Sequence, residues 1–417
     1  MKVGFLGLGK LGLPVALAIE SKGHYVCGTD ISLDTLANIK KKKIGYKEIW
    51  VEDYLKNTNL DVFDIKGVVK NSDIIFVPIQ TPHEEKYEGI TRIPKERADF
   101  NYDYLINGMK ELSEEIEIQG NNKIVIIIST VLPGTIRSRI KPILSTKVKL
   151  CYNPFFIAMG STMKDFLHPE FVLFGVDDLD AYKVCKDFYK SITNAPLYDT
   201  TIENAELIKV SYNTLISTKI AFSNTIMELC HKLPNTNVDD VTNALKLANR
   251  RLISGYYMDG GMGDGGGCHP RDNIAMSYLS DKLEISHNWF EHIMMQRENQ
   301  TDWLADLIID SASGLKINIL GKSFKAESNL TLGSPALLLQ NVLKERKIEI
   351  NIWDPIVDKN FDEYAKKYKW NKEPQLFFVA TKHEEFNKFP FHKGSVVVDP
   401  WRYITVSGDI KLIRIGD

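Results

Sequence analysis

No stretch of the sequence approaches the roughly 18 consecutive apolar residues of a membrane-spanning helix. Neither charge is in excess: 52 Lys and Arg stand against 54 Asp and Glu, a formal net charge of −2. That balance removes any global pull toward nucleic acid or an anionic membrane surface, and leaves room only for a local phosphate site. Cysteine is sparse. The five (Cys27, Cys151, Cys185, Cys230 and Cys268) are odd in number and scattered, which argues against a disulfide framework and suits a reducing cytoplasm. No CxxC pair or histidine cluster suggests a metal site. The opening MKVGFLGLG runs straight into a strand pattern instead of a secretory signal.

Glycine and proline are missing from Thr201 to Leu233. With Thr200-Thr201-Ile202-Glu203 reading as a capping box ahead of it, this segment predicts one long helix. Glu206, Lys209 and Asn213 recur on it at spacings of three and four and so share a face. That face is either a solvated stripe or the lining of a site in which Lys209 holds an anion or a water. A second helix is expected over Val238 to Leu252.

What is present is glycine in two telling places. Lys2 to Leu6 reads as a strand and runs into Gly7-Leu8-Gly9-Lys10-Leu11-Gly12, a GxGxxG turn opening a helix over Leu13 to Ser21. A second strand, Tyr25 to Thr29, ends at Asp30, 23 residues after Gly7. In this strand–turn–helix–strand context Gly7 allows the tight turn, Gly9 lets backbone approach a pyrophosphate, and Gly12 permits close helix–strand packing. The helix N-terminus, with Lys10 and Leu11, faces the anion. Asp30 accepts hydrogen bonds from a ribose diol and favours NAD over NADP, whose 2′-phosphate it would repel. Further strands over Asp73 to Pro78, Lys123 to Ser129 and Val148 to Tyr152 place Thr81, Thr130 and Asn153 beyond carboxyl ends, where ligands bind in parallel sheets. Each alone reads first as a turn or cap residue and second as a ligand contact.

The second place is Gly260 to Asp272, GGMGDGGGCHPRD, with six glycines, Cys268 and Asp272. Such a run lets backbone close on a bulky ligand and presents a thiol, the best intrinsic nucleophile among side chains. The last third begins a new strand–helix alternation: strands over Lys316 to Leu320, Glu349 to Trp353, Leu376 to Thr381 and Ser395 to Asp399, and a helix over Pro335 to Arg346. It reads as a second, smaller Rossmann-type unit without GxGxxG. A chain of 417 residues has length for two or three domains.

Taken together the motifs resemble the UDP-glucose/GDP-mannose dehydrogenase family over nearly the whole chain. GLGKLGLPVA, STVLPGT (129–135), DFLHPEFVLFG (165–175), AELIKVSYN (205–213), GDGGGCHPRD (263–272), LGKSFKAESNLTLGSPAL (320–337) and WDP (353–355) match its patterns in order. The resemblance implies an α/β protein of two Rossmann-type doubly wound domains joined by a long central helix and a helical dimerisation region. The expected domains are an NAD-binding domain over 1–199, a central domain with the cysteine loop over 200–300, and a nucleotide-sugar domain over 301–417. It implies NAD-dependent oxidation of the C6 alcohol of a nucleotide sugar, UDP-glucose first, to the uronate in a cytoplasmic homodimer, with neither nucleic acid nor membrane as partner. Cys268 is then the nucleophile, passing through a thiohemiacetal and a thioester. Asp272 and Lys209 position a water and stabilise the oxyanion, Asn213 holds a sugar oxygen, and Thr130 orders a water. Lys325, Arg251, Tyr256 and Gly265 contribute to the sugar site, Arg251 across a dimer interface.

Four departures stand out. The family's NPEF is Asn153-Pro154-Phe155-Phe156 here, and a second carboxylate four residues on is Met159. The lysine of its CxxKD motif is Arg271, and its RES is Leu332-Gly333-Ser334. The missing glutamate belongs to thioester hydrolysis, and a ring at Phe155 is expected to dry that spot. This predicts slow hydrolysis behind fast hydride transfer, unless Glu206 or a water on Thr130 substitutes, and Phe155→Glu is expected to restore it. Two other readings are a relative with altered chemistry or an unusual sugar, and a silent protein that only binds NAD and a nucleotide sugar; retention of Cys268 argues against the second.

Overall fold

Short apolar runs that end at Gly, Pro, Asn or Asp form strands buried on both faces, as Ile74–Val77 illustrates with every residue buried. The computed structural model describes residues 1–46, 48–82, 98–158, 160–254, 260–265, 280–326, 328–358 and 360–415. Its chain divides into two units, Met1–Thr218 and Lys219–Asp417.

In the first unit eight strands form one sheet: β1 (Lys2–Leu6), β2 (Tyr25–Thr29), β3 (Asp61–Val62), β4 (Ile74–Val77), β5 (Lys123–Ile127), β6 (Val148–Tyr152), β7 (Val172–Val176) and β8 (Leu197–Thr201). Their order is β3-β2-β1-β4-β5-β6-β7-β8. The first six reproduce the doubly wound dinucleotide order, with the reversal between β1 and β4. The parallel run breaks where β7 pairs antiparallel with β6, and β8, parallel to β7, also runs opposite to the first six strands.

Helices cover both faces: α1 (Gly12–Glu20), α2 (Leu33–Lys40), α3 (Val51–Asn57), α4 (Ile65–Asn71), α5 (Asp103–Gln119), α6 (Thr162–Leu167) and α7 (Leu179–Lys190). One apolar cluster joins α1, α6 and α7 to the sheet, the other joins α4 and α5 to its opposite face. In α5, Leu105, Met109, Leu112 and Ile116 supply the buried stripe, at helical spacings of three and four. Gly120 ends that helix at φ 78°, a conformation glycine adopts at little cost.

The expected long helix is α8 (Ile202–Lys232). Its cap differs from the expectation. Thr201, one residue later than Thr200, accepts the N–H of Asn204 at 3.2 Å, and Glu203 pairs with Arg137 instead of reaching back to the cap. The next helix, α9 (Val238–Lys246), is shorter than expected. Beyond it the N–H groups of Leu247 and Ala248 bond three residues back, to Ala244 and Leu245, so the segment up to Leu252 tightens into turns.

The second unit contains α10 (Trp289–Ala312), β9 (Ile317–Leu320), α11 (Pro335–Glu345), β10 (Ile350–Trp353), α12 (Phe361–Tyr368), β11 (Leu376–Val379), β12 (Val396–Asp399) and β13 (Lys411–Arg414). Its five strands are parallel in the order β10-β9-β11-β12-β13. The strand order reverses between β9 and β11, so the carboxyl ends of these two strands frame the ligand crevice of a doubly wound sheet. The sequence reading lacked α10, although its start carries a cap: Asn288 accepts the N–H of Glu291 at 3.1 Å. It also lacked β13, whose four residues carry too little pattern to read alone. Among the described residues no helix is long and apolar enough to cross a membrane.

Candidate active site

The turn after β1 has the shape its glycines dictate. Gly7 sits at φ 122° and its N–H donates to Thr29 O at 2.9 Å. A Cβ on Gly12 would lie 2.1 Å from Gly7 O, so only glycine lets α1 start this close to β1. At Gly9 the reverse holds: a Cβ would meet nothing within 4 Å. Packing therefore does not require glycine there, and the open space beside its backbone is what a pyrophosphate needs. No side chain caps α1; Leu13 N–H is given to Gly9 O at 3.1 Å and Pro14 has none, so the N–H groups ahead of them are the ones left for an anion. Lys10 is exposed and Leu11 half-buried. Asp30 accepts the N–H of Leu8 at 2.7 Å and of Ser32 at 2.8 Å, one on each oxygen. It thus fixes the turn, and each oxygen keeps a lone pair for a ribose hydroxyl.

Thr81 donates its hydroxyl to Thr130 O at 2.7 Å, bracing the ends of β4 and β5 together. Thr130 is half-buried. Asn153 is a structural residue. Its amide donates to Leu173 O at 2.8 Å and its oxygen accepts the Tyr189 hydroxyl, which consumes the side chain inside the sheet.

On α8, Glu206 and Lys209 turn toward the sheet. Glu206 is fully buried and accepts the N–H groups of Gly134 and Ile136 at 2.5 and 2.9 Å. Burial raises its carboxyl above the usual value against the pull of those two bonds. A carboxylate committed to two backbone donors is a clasp on the turn after β5, not a spare base. Lys209 is buried too. Its ammonium donates to Phe155 O at 2.7 Å and lies 5.1 Å from the centre of the Phe156 ring. Burial lowers its proton affinity below the usual lysine value. Asn213, on the same helix, is exposed.

Phe155 does not play the part its position suggested. Its ring packs against Phe76 and Phe166, at centroid distances of 6.3 and 5.3 Å, as part of the α1–α6–α7 cluster. Its carbonyl, not its ring, faces Lys209. The aromatic wall beside the ammonium is Phe156. A glutamate at 155 in this conformation would put its charge among the rings of Phe76 and Phe166 instead of beside Lys209, which argues against Phe155→Glu as a rescue.

In the second unit the start of the glycine run is held from several sides. The Arg402 guanidinium donates to Gly260 O at 2.7 Å, and Gln300 to Gly261 O at 3.0 Å. Gly261 lies on the Trp401 indole, where a Cβ would fall 2.1 Å from a ring carbon. Arg297 pairs with Asp264 at 2.9 Å and contacts Gly333 O at 3.5 Å. At Gly265 a Cβ would press on Pro335 Cδ, at 2.9 Å, and on Phe324 Cβ, at 3.2 Å. Arg297 was not legible in advance, because nothing local marks a helix arginine 33 residues from its partner. Cys268, Asp272 and Tyr256 lie outside the described residues, as do Met159 and Arg271. Lys325 is exposed on the loop after β9, and Arg251 is exposed in the turns after α9.

That loop after β9 is anchored by another residue the sequence reading did not single out. Asp354, fully buried, accepts on one oxygen the N–H groups of Lys322 and Ser323, the Ser323 hydroxyl and His383 Nε2, at 2.8, 2.9, 2.9 and 3.2 Å. Its other oxygen takes the N–H groups of Ile356 and Val357 at 2.9 and 3.0 Å. Burial works against its charge, but His383 and the backbone donors outweigh it and hold the carboxyl well below the usual range.

Family models for three consecutive parts match this chain: the NAD binding domain of the UDP-glucose/GDP-mannose dehydrogenase family over residues 1–193, its central domain over 203–299 and its UDP binding domain over 318–405. The chain belongs to the UDP-glucose/GDP-mannose dehydrogenase family. This dehydrogenase is 27% identical over 430 residues to the GDP-mannose 6-dehydrogenase of Pseudomonas aeruginosa, covering 100% of the chain and 92% of that protein. It is 25% identical over 425 residues to the UDP-glucose 6-dehydrogenase of Rickettsia conorii, covering 96% and 94%. The fold is shared with the crystal structure of a ternary complex of GDP-mannose dehydrogenase from Pseudomonas aeruginosa, at a TM-score of 0.87, 24% identity and 99% coverage of both chains. Family and fold make it a nucleotide-sugar dehydrogenase. Its cofactor is NAD, which the cradle of Gly7, Gly9 and Gly12 and the carboxylate of Asp30 fit.

Proposed function

We propose that this dehydrogenase oxidises the C6 alcohol of a nucleotide sugar to the carboxylate through a covalent Cys268 intermediate, with UDP-glucose as the first candidate substrate. The observation that carries the reading is Lys209: a buried ammonium held on Phe155 O at 2.7 Å, at the carboxyl end of β6, in a chain whose cysteine loop follows the family pattern. NAD, with its pyrophosphate on the Gly7–Gly12 turn and its ribose on Asp30, supplies the hydride acceptor. One of the three ammonium donors is spent on Phe155 O, which leaves two to stabilise the alkoxide and the later oxyanion. Cys268 adds to the C6 aldehyde to give a thiohemiacetal, oxidation of which gives a thioester that water cleaves to the acid and free thiol. Asp272 shares the holding of that water with Lys209, Asn213 takes a sugar oxygen, and Lys325 reaches the nucleotide sugar from the loop after β9.

The substrate reading rests on the match to the UDP binding domain. The full-length match to a GDP-mannose 6-dehydrogenase favours a second candidate, GDP-mannose. Thermal shift against UDP-glucose, GDP-mannose and their N-acetylated and epimeric relatives separates the two. A count of NADH per sugar then tests the chemistry. Two per sugar with a uronate product, and no more than one with Cys268→Ser, whose thioester route is closed, support the proposal; one per sugar with an aldehyde product from the wild type overturns it. Glu206 is committed to backbone donors and position 155 carries no carboxylate, so deacylation is limiting. The expected time course is a burst of NADH, then slow turnover, with a sugar adduct on Cys268 in early quenches. A linear course without adduct refutes slow deacylation.

We also propose that two copies assemble along α8, whose Leu215, Ile216 and Met227 are 41–51% exposed, with Arg251 given to the partner's sugar site. A monomer by light scattering at micromolar concentration contradicts this.

A further inference from the structure

The second unit carries a cationic cleft at the end of its sheet opposite the crevice described above. Lys316 precedes β9, Lys344 and Lys347 surround the end of α11, and Lys367 and Lys369 surround the end of α12. These five line a cleft of about 610 Å³, within the size range of small-molecule pockets. Strand β9, four residues long, separates the cleft from the Gly321–Lys325 loop by about 13 Å.

An ordinary solvated face does not account for this. Two helix C-termini favour nearby cations, but about half a charge each cannot offset five lysines. Several surface lysines elsewhere are paired with nearby carboxylates, as in Lys56–Asp53, Lys183–Asp180, Lys190–Asp187 and Lys149–Asp178. In the cleft only Lys316 makes such a pair, with Glu373, which also feels the charge of Lys369; among the described residues Lys344, Lys347, Lys367 and Lys369 make no ion pair of their own. Glu349 is the one carboxylate on the wall. Lys347 and Lys369 moreover occupy left-handed conformations, at φ 61° and 57°, positions that glycine or asparagine fills at less cost. The remaining wall offers Tyr368 and the apolar Ile348 and Ile350, a surface for a flat ring.

We infer that this cleft is a second anion site, separate from the sugar site, and that it takes an oligophosphate: two or more linked phosphates, free or as the tail of a nucleotide. Phosphate oxygens accept charge-assisted bonds from lysine, and two linked groups can span ammonium groups on both helix ends. The inference does not depend on which sugar the enzyme oxidises.

Limiting acetylation of the full-length protein, read lysine by lysine by mass spectrometry at constant ionic strength, tests it. Inorganic pyrophosphate at three times its Kd should cut labelling of Lys344, Lys347 and Lys369 about fourfold by occupancy alone, with Lys56 and Lys183 unchanged. ATP protecting the same lysines at lower concentration identifies a nucleotide as the source; equal protection identifies the phosphate chain alone. Lys347→Glu with Lys369→Glu should weaken pyrophosphate binding by about tenfold or more, the two arginine replacements should retain it, and NADH formation without pyrophosphate should not change. Unchanged labelling with millimolar pyrophosphate and ATP overturns the inference. So does equal protection by chloride or sulfate at matched ionic strength, or protection by heparin alone, which would assign the cleft to a polyanionic polymer.

Discussion

The two sheets of this dehydrogenase meet the same structural problem at one place and solve it in opposite ways. After β1, Gly7 at φ 122° donates its N–H to Thr29 O at the end of β2; after β9, Gly321 at φ 103° donates to Trp353 O at the end of β10. The next residue on the second strand is an aspartate each time, and each accepts backbone N–H groups from the first loop: Asp30 from Leu8, Asp354 from Lys322 and Ser323. There the likeness ends. Asp30 is half-buried with two donors, and Asp354 is sealed beneath Ser323 and His383 with six. A carboxylate in this slot can read a ribose only while acceptor capacity is left open to ligand. Once the protein fills that capacity, the same residue becomes an anchor that shapes the loop carrying Lys325.

The largest effect should come from the sealed partner. Asp354→Ala strands buried N–H groups and His383, and should cost about 4 kcal/mol in urea unfolding, with NAD affinity of the folded fraction unchanged. A loss under about 1 kcal/mol would remove the distinction between anchor and reader. Acid titration sharpens it. The folded carboxyl of Asp354 is held below its ordinary 3.8, so its stabilisation is complete above that value and drains away as pH falls through the lowered folded one. Below pH 3.8 the wild type should therefore lose stability more steeply than Asp354→Asn, by up to about 1.4 kcal/mol per pH unit for one group.

Next in size is Gly12→Ala. The added Cβ meets Gly7 O at 2.1 Å, a backbone atom that cannot swing away, so α1 must move off β1. The expected loss is about 2–3 kcal/mol together with weakened NAD binding. Wild-type stability in this variant would mean that the helix start is loose.

These contrasts also mark what the sequence disclosed. The turn at Gly7 and the close packing at Gly12 were legible, because both are set within one short turn. Most of the strands and the long α8 were legible from apolar runs and from the gap in glycine and proline. Contacts across long separations were not legible. Glu206 lies on the same face as Lys209, as the spacing required, yet its carboxylate is spent on Gly134 and Ile136, some 70 residues away in sequence. Phe155 marked a departure from the family pattern, but only its packing on Phe76 and Phe166 reveals that its carbonyl is what Lys209 uses. The Arg297 pair with Asp264, which braces the start of the cysteine loop, has no local signature at all.

Smaller in stability is Asp30→Ala, which releases two backbone donors at a half-exposed site where water can replace the carboxylate. About 1 kcal/mol of stability should go. Binding should suffer more: the lost ribose contacts should weaken NAD by about tenfold or more and NADP by less, as titration of cofactor fluorescence can measure. A wild type that used NADP as well as NAD would detach Asp30 from the ribose.

The smallest folding effect, and the most pointed comparison, belongs to Gly9→Ala. Nothing lies within 4 Å of the new Cβ, and the backbone of Gly9 is not among the left-handed glycines, so an alanine fits without strain. Replacing glycine even trims the entropy of the unfolded chain, so stability should stay level or rise by about 0.5 kcal/mol. The methyl nevertheless occupies the space beside the backbone where the pyrophosphate is to lie, next to the uncapped start of α1. NAD affinity should therefore fall by about tenfold or more, the fold-change of losing a close charge-assisted contact, in a protein as stable as the wild type. Gly12→Ala and Gly9→Ala, three residues apart on one turn, thus separate a glycine kept for packing from one kept for the ligand. Unchanged NAD affinity in Gly9→Ala would mean that the open space is not where the pyrophosphate sits, and the anion would then have to be held further along the turn, at Lys10 and Leu11.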